Sequence, residues 1–198
     1  NMNASNPYDG PRRPGTVGRP LPGVEIQITE DDTPLPVGTV GQIEVRGPNV
    51  FQGYWQMPEK TAAELRETGF FKTGDLGLID AQGYLSIVGR SKDLIISGGY
   101  NIYPKEVELV LDAEPGVLES AVIGVPHPDF GEAVVGVLVP EPGAEPDLTA
   151  VMRACDGALA RYKHPKRLVL RDALPRNAMG KVQKNLLRDA YADMFAMG

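Results

Sequence analysis

The sequence holds a single cysteine, Cys155, among 198 residues. One thiol excludes an internal disulfide and suits a reducing compartment, so a cytoplasmic setting is expected. Cys155 falls in a helical apolar pattern, where a buried structural thiol is expected rather than a nucleophile. Histidine is nearly as scarce. His127 and His164 are the only two, neither has ligating side chains at metal spacing, and no metal is expected on these residues. No apolar run approaches the ~20 residues that span a bilayer, no secretory signal opens the chain, and no membrane partner is expected. Positive charge is in deficit: 20 Lys and Arg against 26 Asp and Glu leave a net charge of −6. That balance argues against nucleic acid as a partner. Internal repeats and low-complexity tracts are absent.

Glycine and proline, by contrast, are plentiful, at 23 and 18 residues, so short strands joined by turns are expected. The hydrophobic share of 42% and charged share of 23% are ordinary for a globular protein. A chain of this length accommodates one large domain or two small ones.

Residues 1–23, with five prolines, read as mostly loop. Alternating apolar and polar side chains predict strands over Val24–Ile28 and Gln42–Arg46, with Asp31-Asp32-Thr33-Pro34 a turn between them. Thr61–Arg66 reads as a short helix. Phe70–Lys72, Leu76–Ile79 and Tyr84–Val88 read as further strands, with a hairpin turn at Ala81-Gln82-Gly83. After residue 93 the texture changes. Helices are predicted over Pro104–Ala113, Leu148–Leu159 and Gln183–Phe195, and strands over Glu119–Val125, Ala133–Val139 and Arg167–Leu170. The fold class expected is α+β: a small antiparallel β-barrel-like subdomain over 1–91, then an α+β domain over 92–198 with three helices and a small sheet.

The residues between Gly89 and Glu108 are the most distinctive. A strand ends in the charged joint Arg90-Ser91-Lys92-Asp93; a short apolar run, Leu94–Ile96, and the pair Gly98-Gly99 follow. Pro104 then opens a helix, at a position where its missing N–H costs nothing. Charge at such a joint marks a place that water reaches, as at a domain boundary. Thr73-Gly74-Asp75 upstream and Pro175-Arg176-Asn177-Ala178-Met179-Gly180-Lys181 near the end accompany it.

These three motifs, in this order, resemble the acyl-adenylate-forming (AMP-binding) enzymes, which include acyl-CoA synthetases, peptide-synthetase adenylation domains and luciferases. Within that family the chain is most similar to bacterial malonyl-CoA synthetases. The resemblance implies the C-terminal portion of a longer enzyme. Residues 1–91 would complete the large ATP- and acyl-binding domain, and 92–198 would form a mobile lid. The implied reaction turns a carboxylate, malonate or a similar acid, into its adenylate with ATP. Coenzyme A then displaces AMP.

What the resemblance assigns to each residue differs in chemistry. Asp75 corresponds to the aspartate that holds the ribose hydroxyls of ATP, a pairing suited to a two-oxygen acceptor, and Arg90 to an arginine on the same nucleotide. Lys92 corresponds to the hinge about which the lid turns between half-reactions. Ser97, Gly98 and Gly99 correspond to a turn along which the pantetheine arm of coenzyme A passes, glycine leaving room for close approach. Phe130, Tyr162, Lys163 and His164 correspond to segments near the coenzyme A nucleotide, where cations meet its phosphate. Lys181 corresponds to the catalytic lysine, a mobile point charge for the carboxylate attacking the α-phosphate. Its Pro-x-x-x-x-Gly-Lys context also resembles a site used by lysine acetyltransferases and reversed by deacetylases, which removes the charge.

The family's phosphate loop, acyl pocket and magnesium ligands are expected upstream, in the N-terminal part of the same enzyme. The alternatives are a peptide-synthetase adenylation domain and a non-catalytic ligand-binding module. The former is disfavoured by the absence of a Gly-x-x-Ser carrier segment after Lys181.

Overall fold

The computed structural model describes residues 2–196. The chain divides into two compact units, Asn1–Lys92 and Asp93–Gly198.

The first unit opens with a two-residue ribbon, β1 (Ala4–Ser5) and β2 (Arg19–Pro20), and continues through β3 (Glu25–Glu30), β4 (Thr33–Pro34), β5 (Gly41–Arg46), α1 (Pro58–Glu64), β6 (Phe71–Ile79) and β7 (Leu85–Arg90). The last five strands form one antiparallel sheet in the order β4-β3-β5-β6-β7. Its core is small: Ile28, Ile43, Val45 and Leu85 are buried together, with Phe71 and Ile79 packed against them. A buried carboxylate, Glu44, lies on the opposite face of the sheet, across from Gln27. It accepts hydrogen bonds from Gln27 Nε2 (2.9 Å), Thr29 Oγ1 (3.1 Å) and Arg66 Nε (3.0 Å). Arg66 and Lys72 also pair with the exposed Asp32. A charge this deep is tolerable only with such a full set of partners.

The second unit contains β8 (Ile95–Ser97), β9 (Tyr100–Ile102), α2 (Pro104–Leu111), β10 (Val117–His127), β11 (Gly131–Pro140), α3 (Leu148–Ala158), β12 (Arg167–Leu170) and α4 (Lys184–Ala190). β10 and β11 pair antiparallel along their whole length. The first residue of β11, Gly131, pairs with β8, and residues 135–138 run parallel to β12. Runs such as Ala121–Val125 and Ala133–Val139 are apolar on both faces, because both faces are covered. One face, including Val122, Val134 and Leu138, meets Val107 and Leu111 of α2 and Val151 and Cys155 of α3. The other, including Ile123, Val135 and Val137, meets Leu174, Leu187 of α4 and the residues that follow it. α3 starts at Asp147, whose carboxylate accepts the amide protons of Thr149 (2.8 Å) and Ala150 (3.2 Å), a side-chain cap.

The sequence reading and the fold differ at five places, the first being Thr33–Pro34, which reads as part of a turn but pairs with β3 as the short strand β4. Phe70–Lys72 and Leu76–Ile79 are one strand, because Gly74 at φ +73° opens a bulge rather than a loop. α1 begins at Pro58, since a proline at the first helical position is already set to the helical φ. β9 follows the glycine pair, which closes a two-residue hairpin. The last helix ends at Ala190 and gives way to turns, with Tyr191, Met194 and Phe195 still packed on the sheet and Phe195 against His127. Among the described residues no helix is long and apolar enough to cross a membrane.

Leu111 is fully buried between α2 and the sheet, while Leu109, two residues earlier, is 60% exposed. Leu111→Ala is therefore expected to lower unfolding free energy in a urea titration by roughly 2–5 kcal/mol. Leu109→Ala should change it by no more than about 0.5 kcal/mol. Equal effects would mean that α2 is docked by another face. Burial pushes the Cys155 thiol up from its ordinary range, with Asp156 and Glu114 adding to the effect. It should resist iodoacetamide at pH 8 until the protein is unfolded.

Candidate functional site

In the first unit, Thr73, Gly74 and Asp75 lie opposite Ile43 alone, since the β5–β6 register runs Glu44↔Lys72 and then Gln42↔Leu76. The β6–β7 ladder is also irregular here, between Leu76 and Gly77. Bulges on both sides re-aim the side chains between them. Thr73 Oγ1 donates to Ile43 O (2.9 Å) and accepts the Asp75 amide proton (3.1 Å), which fixes the bulge. Arg90 stands directly across from Asp75 and its Nε lies 3.0 Å from Oδ1.

Their side chains are 51% and 25% exposed. An ion pair this wet contributes about 0–1 kcal/mol, so both charges are free to exchange each other for a ligand. Asp75 and Thr73 line a cavity of about 190 Å³ walled by Val17, Ile43, Leu85 and Ile87. Three polar side chains, Asn3 with Thr73 and Asp75, in an otherwise apolar concavity form a small-molecule type of surface. Lys92, in the 3-10 turn Ser91–Asp93, is the exposed last residue of this unit.

In the second unit, Gly98 and Gly99, at φ +57° and +82°, form the two-residue turn of the β8–β9 hairpin. Positive φ at both central positions is what that turn requires, and glycine supplies it without strain. The Gly98 amide donates to Phe130 O (2.9 Å). A Cβ on Gly98 would lie 3.7 Å from the Phe130 ring. Ser97 is buried at the foot of the hairpin. Lys166 Nζ lies 4.9 Å from the Phe130 ring centroid. On the far side of the hairpin, Tyr100 stacks on Tyr162 at 4.5 Å and 23°, with both residues exposed. Lys163 Nζ is held by both oxygens of Glu106 at 2.6 and 2.7 Å.

Of the residues singled out in the sequence, Gly98 touches Phe130, Ser97 and Gly99 flank it in the same hairpin, and Tyr162 joins the hairpin through Tyr100 with Lys163 next to it in the chain. His164 does not. Its Nε2 meets Leu159 O at 3.1 Å and its Nδ1 meets Asp156 at 3.4 Å, so the ring braces the end of α3. The sequence leaves the role of Tyr100 open and marks none for Lys166, because an exposed tyrosine and a lysine beside a strand carry no local pattern.

Lys181 sits exposed in the loop before α4. Asn177 organises that loop. Its Oδ1 accepts the amide protons of Met179 and Lys181, both at 3.0 Å, and its own amide donates to Lys181 O at 3.0 Å. Arg176 donates to Gly180 O (2.7 Å) and pairs with Glu119 of β10. After the loop, Lys184 Nζ meets the buried Glu108 carboxylate at 2.6 Å, the same oxygen that accepts the Val122 amide proton. With side chains only 15% and 9% exposed, losing one partner there would cost roughly 3–5 kcal/mol. The backbone around Lys181 is thus held while its ammonium is left in water. Among the described residues no cluster of three His, Cys, Asp or Glu could hold a metal ion.

Asn177→Ala should speed amide exchange at Met179 and Lys181 several-fold, since each lost hydrogen bond is worth roughly 0.5–1.5 kcal/mol. Unchanged exchange would show that the loop is held by Arg176 alone.

Residues 2–55 match the family model of the AMP-binding enzyme, and 106–181 match that of the AMP-binding enzyme C-terminal domain. ATP-bound MatB from Rhodopseudomonas palustris is 58% identical and superposes with a TM-score of 0.93 over 98% of this chain and 39% of that one. An indoleacetate–CoA ligase of Aromatoleum aromaticum is 44% identical over 94% of this chain and 36% of its own length. A malonate–CoA ligase of Arabidopsis thaliana is 43% identical over 94% of this chain and 32% of its own. The chain spans about a third of the length of these curated relatives.

Proposed function

The chain belongs to the AMP-binding enzyme family, and we propose that it is the C-terminal portion of an AMP-forming carboxylate–CoA ligase acting on malonate. The observation that carries this reading is Lys181: a lone ammonium, exposed at the tip of a loop whose backbone is fixed on both sides. Such a group can follow a charge that develops during reaction without reorganising its surroundings. The acid is taken from the likeness to malonyl-CoA synthetases, supported by the malonate–CoA ligase among the relatives.

In the first step a carboxylate oxygen of the acid attacks the α-phosphorus of ATP and pyrophosphate leaves. Lys181 neutralises charge shared between carboxylate and phosphate. Asp75 accepts hydrogen bonds from the ribose hydroxyls, and Arg90 turns from Asp75 to the nucleotide. In the second step the thiolate of coenzyme A attacks the acyl carbon and AMP leaves. Lys92 is the pivot between the two arrangements. The Gly98-Gly99 turn lies along the pantetheine arm, and Phe130 and Tyr162 flank the nucleotide of coenzyme A, with Lys163 and Lys166 near its phosphate. His164 serves the fold instead. Among the described residues no group of His, Cys, Asp and Glu could hold magnesium, whose ligands would lie in the upstream part of the same enzyme. Acetylation of Lys181 by an acetyltransferase would remove the charge that the first step needs, and a deacetylase would restore it.

The test uses the full-length protein that carries this chain, with ATP, malonate and coenzyme A, and separates the half-reactions by supplying malonyl adenylate for the second. Lys181→Ala should lower adenylation by roughly 100-fold or more, leave thioester formation nearly intact and barely alter stability. Equal loss in both steps would mean that Lys181 is structural or binds coenzyme A. Lys92→Pro restricts φ at the pivot. It should slow thioester formation more than pyrophosphate release, and equal slowing in a folded variant would exclude a pivot there.

A further inference from the structure

The segment that carries Lys181 is tied to the residue next to the unit boundary. Arg188, one helical turn beyond Lys184 on α4, donates from Nη2 to Asp93 Oδ1 at 2.8 Å. Asp93 is the first residue of the second unit and the neighbour of Lys92. The two side chains are 27% and 18% exposed, so the pair is largely withdrawn from water. Lys184 and Arg188, four positions apart, share one side of the helix. The first reaches Glu108 on α2 and the second reaches Asp93. Leu187 between them is fully buried against the sheet.

The two ion pairs do different work. Lys184–Glu108 joins α4 to α2 and satisfies a carboxylate deep in the unit, so the packing of the unit already requires it. Asp93 lies in the 3-10 turn at the start of the unit, outside the apolar core that Glu108 adjoins. Its pairing with Arg188 adds a mechanical tie that the packing of the core does not itself require. It fixes the backbone immediately after Lys92 to the helix immediately after Lys181, across 95 positions of sequence.

We infer that Arg188 is a positioning residue that makes Lys181 move as one body with the backbone that leaves the pivot. This rests on the reading of Lys92 and Lys181 given above. A turn at Lys92 reorients Asp93 first. Through Arg188 the same rotation reaches α4 and the loop before it. Without the pair, α4 keeps Glu108 and its buried leucine, but its far end is released from the joint. The Lys181 loop keeps its own hydrogen bonds, but the body that carries it is no longer fixed to the backbone leaving the pivot, so the ammonium reaches the phosphate in more than one orientation.

The experiment uses the full-length protein with Arg188→Ala, Arg188→Lys, Asp93→Asn and Lys181→Ala. Each variant is measured in ATP–pyrophosphate exchange with malonate, in thioester formation from supplied malonyl adenylate, and for its thermal midpoint. Arg188→Ala and Asp93→Asn should lower kcat for exchange about 10-fold with KM for ATP unchanged, since small misplacements of a catalytic group cost that much or more. Thioester formation, which does not use Lys181, should stay within about 2-fold. Arg188→Lys keeps the charge and should restore most of the exchange rate. Equal loss in both half-reactions, or no loss in either, overturns the inference. If Arg188→Ala fails to fold, Asp93→Asn, which keeps the side-chain volume, decides by the same criteria. If Lys181→Ala itself leaves exchange intact, the reading of Lys181 fails and this inference falls with it. If Lys181→Ala abolishes exchange while Asp93→Asn and Arg188→Ala do not change it, only the role of Arg188 is wrong.

Discussion

The β10–β11 ribbon is apolar on both faces, and the second unit follows from the need to cover both. α2 and α3 close one side; α4 and the residues after it close the other. Because a fully buried strand offers no face to water, neither cover is dispensable. The chain between the covers has to travel around the ribbon's ends. The 3-10 turn at Tyr162 and the loop at Lys181 lie on those connections. The residues proposed to carry chemistry on these connections are therefore exposed, while the segments on either side of them are anchored in the two-sided core.

Electrostatics act after packing and sort the charges by depth. Glu44 and Glu108 are buried and fully engaged, so their partners Arg66 and Lys184 are committed to structure. Asp75, Arg90 and Lys181 are wet, and their charges remain available. The same residue types thus divide into those that hold the fold and those that can meet a ligand. Exposure decides between them, because an ion pair in water is weak and a buried one is hard to break.

Most strands and the α+β class were legible in the sequence because two-residue alternation and continuous apolar runs are local signals. Pro104 marked a helix start for a reason internal to proline, whereas the start at Pro58 is missed when the helix is read from Thr61. Gly74 misled, since a glycine between two apolar runs reads as a break while the neighbouring strands absorb it as a bulge. The β9 strand was hidden for the same reason: three residues after a glycine pair show no period of their own, and only pairing with β8 makes them a strand. The motif at Lys181 drew attention to the lysine. Nothing in it revealed that Asn177 folds the loop back or that Arg176 anchors it to Glu119.

What the sequence determined by itself was the order and type of the elements, the turn chemistry of its glycines and prolines, and the family to which its motifs belong. These depend on residues within a few positions of one another. The tertiary structure alone decided the Tyr100–Tyr162 stack, the turning of His164 toward Asp156 and Leu159, and the ion pairs Arg176–Glu119, Lys184–Glu108 and Arg188–Asp93. The three pairs join residues 57, 76 and 95 positions apart. A charge specifies no partner at that distance along a chain. The partner is chosen only when the two-sided core brings the helices to the sheet and leaves each cation one carboxylate within reach.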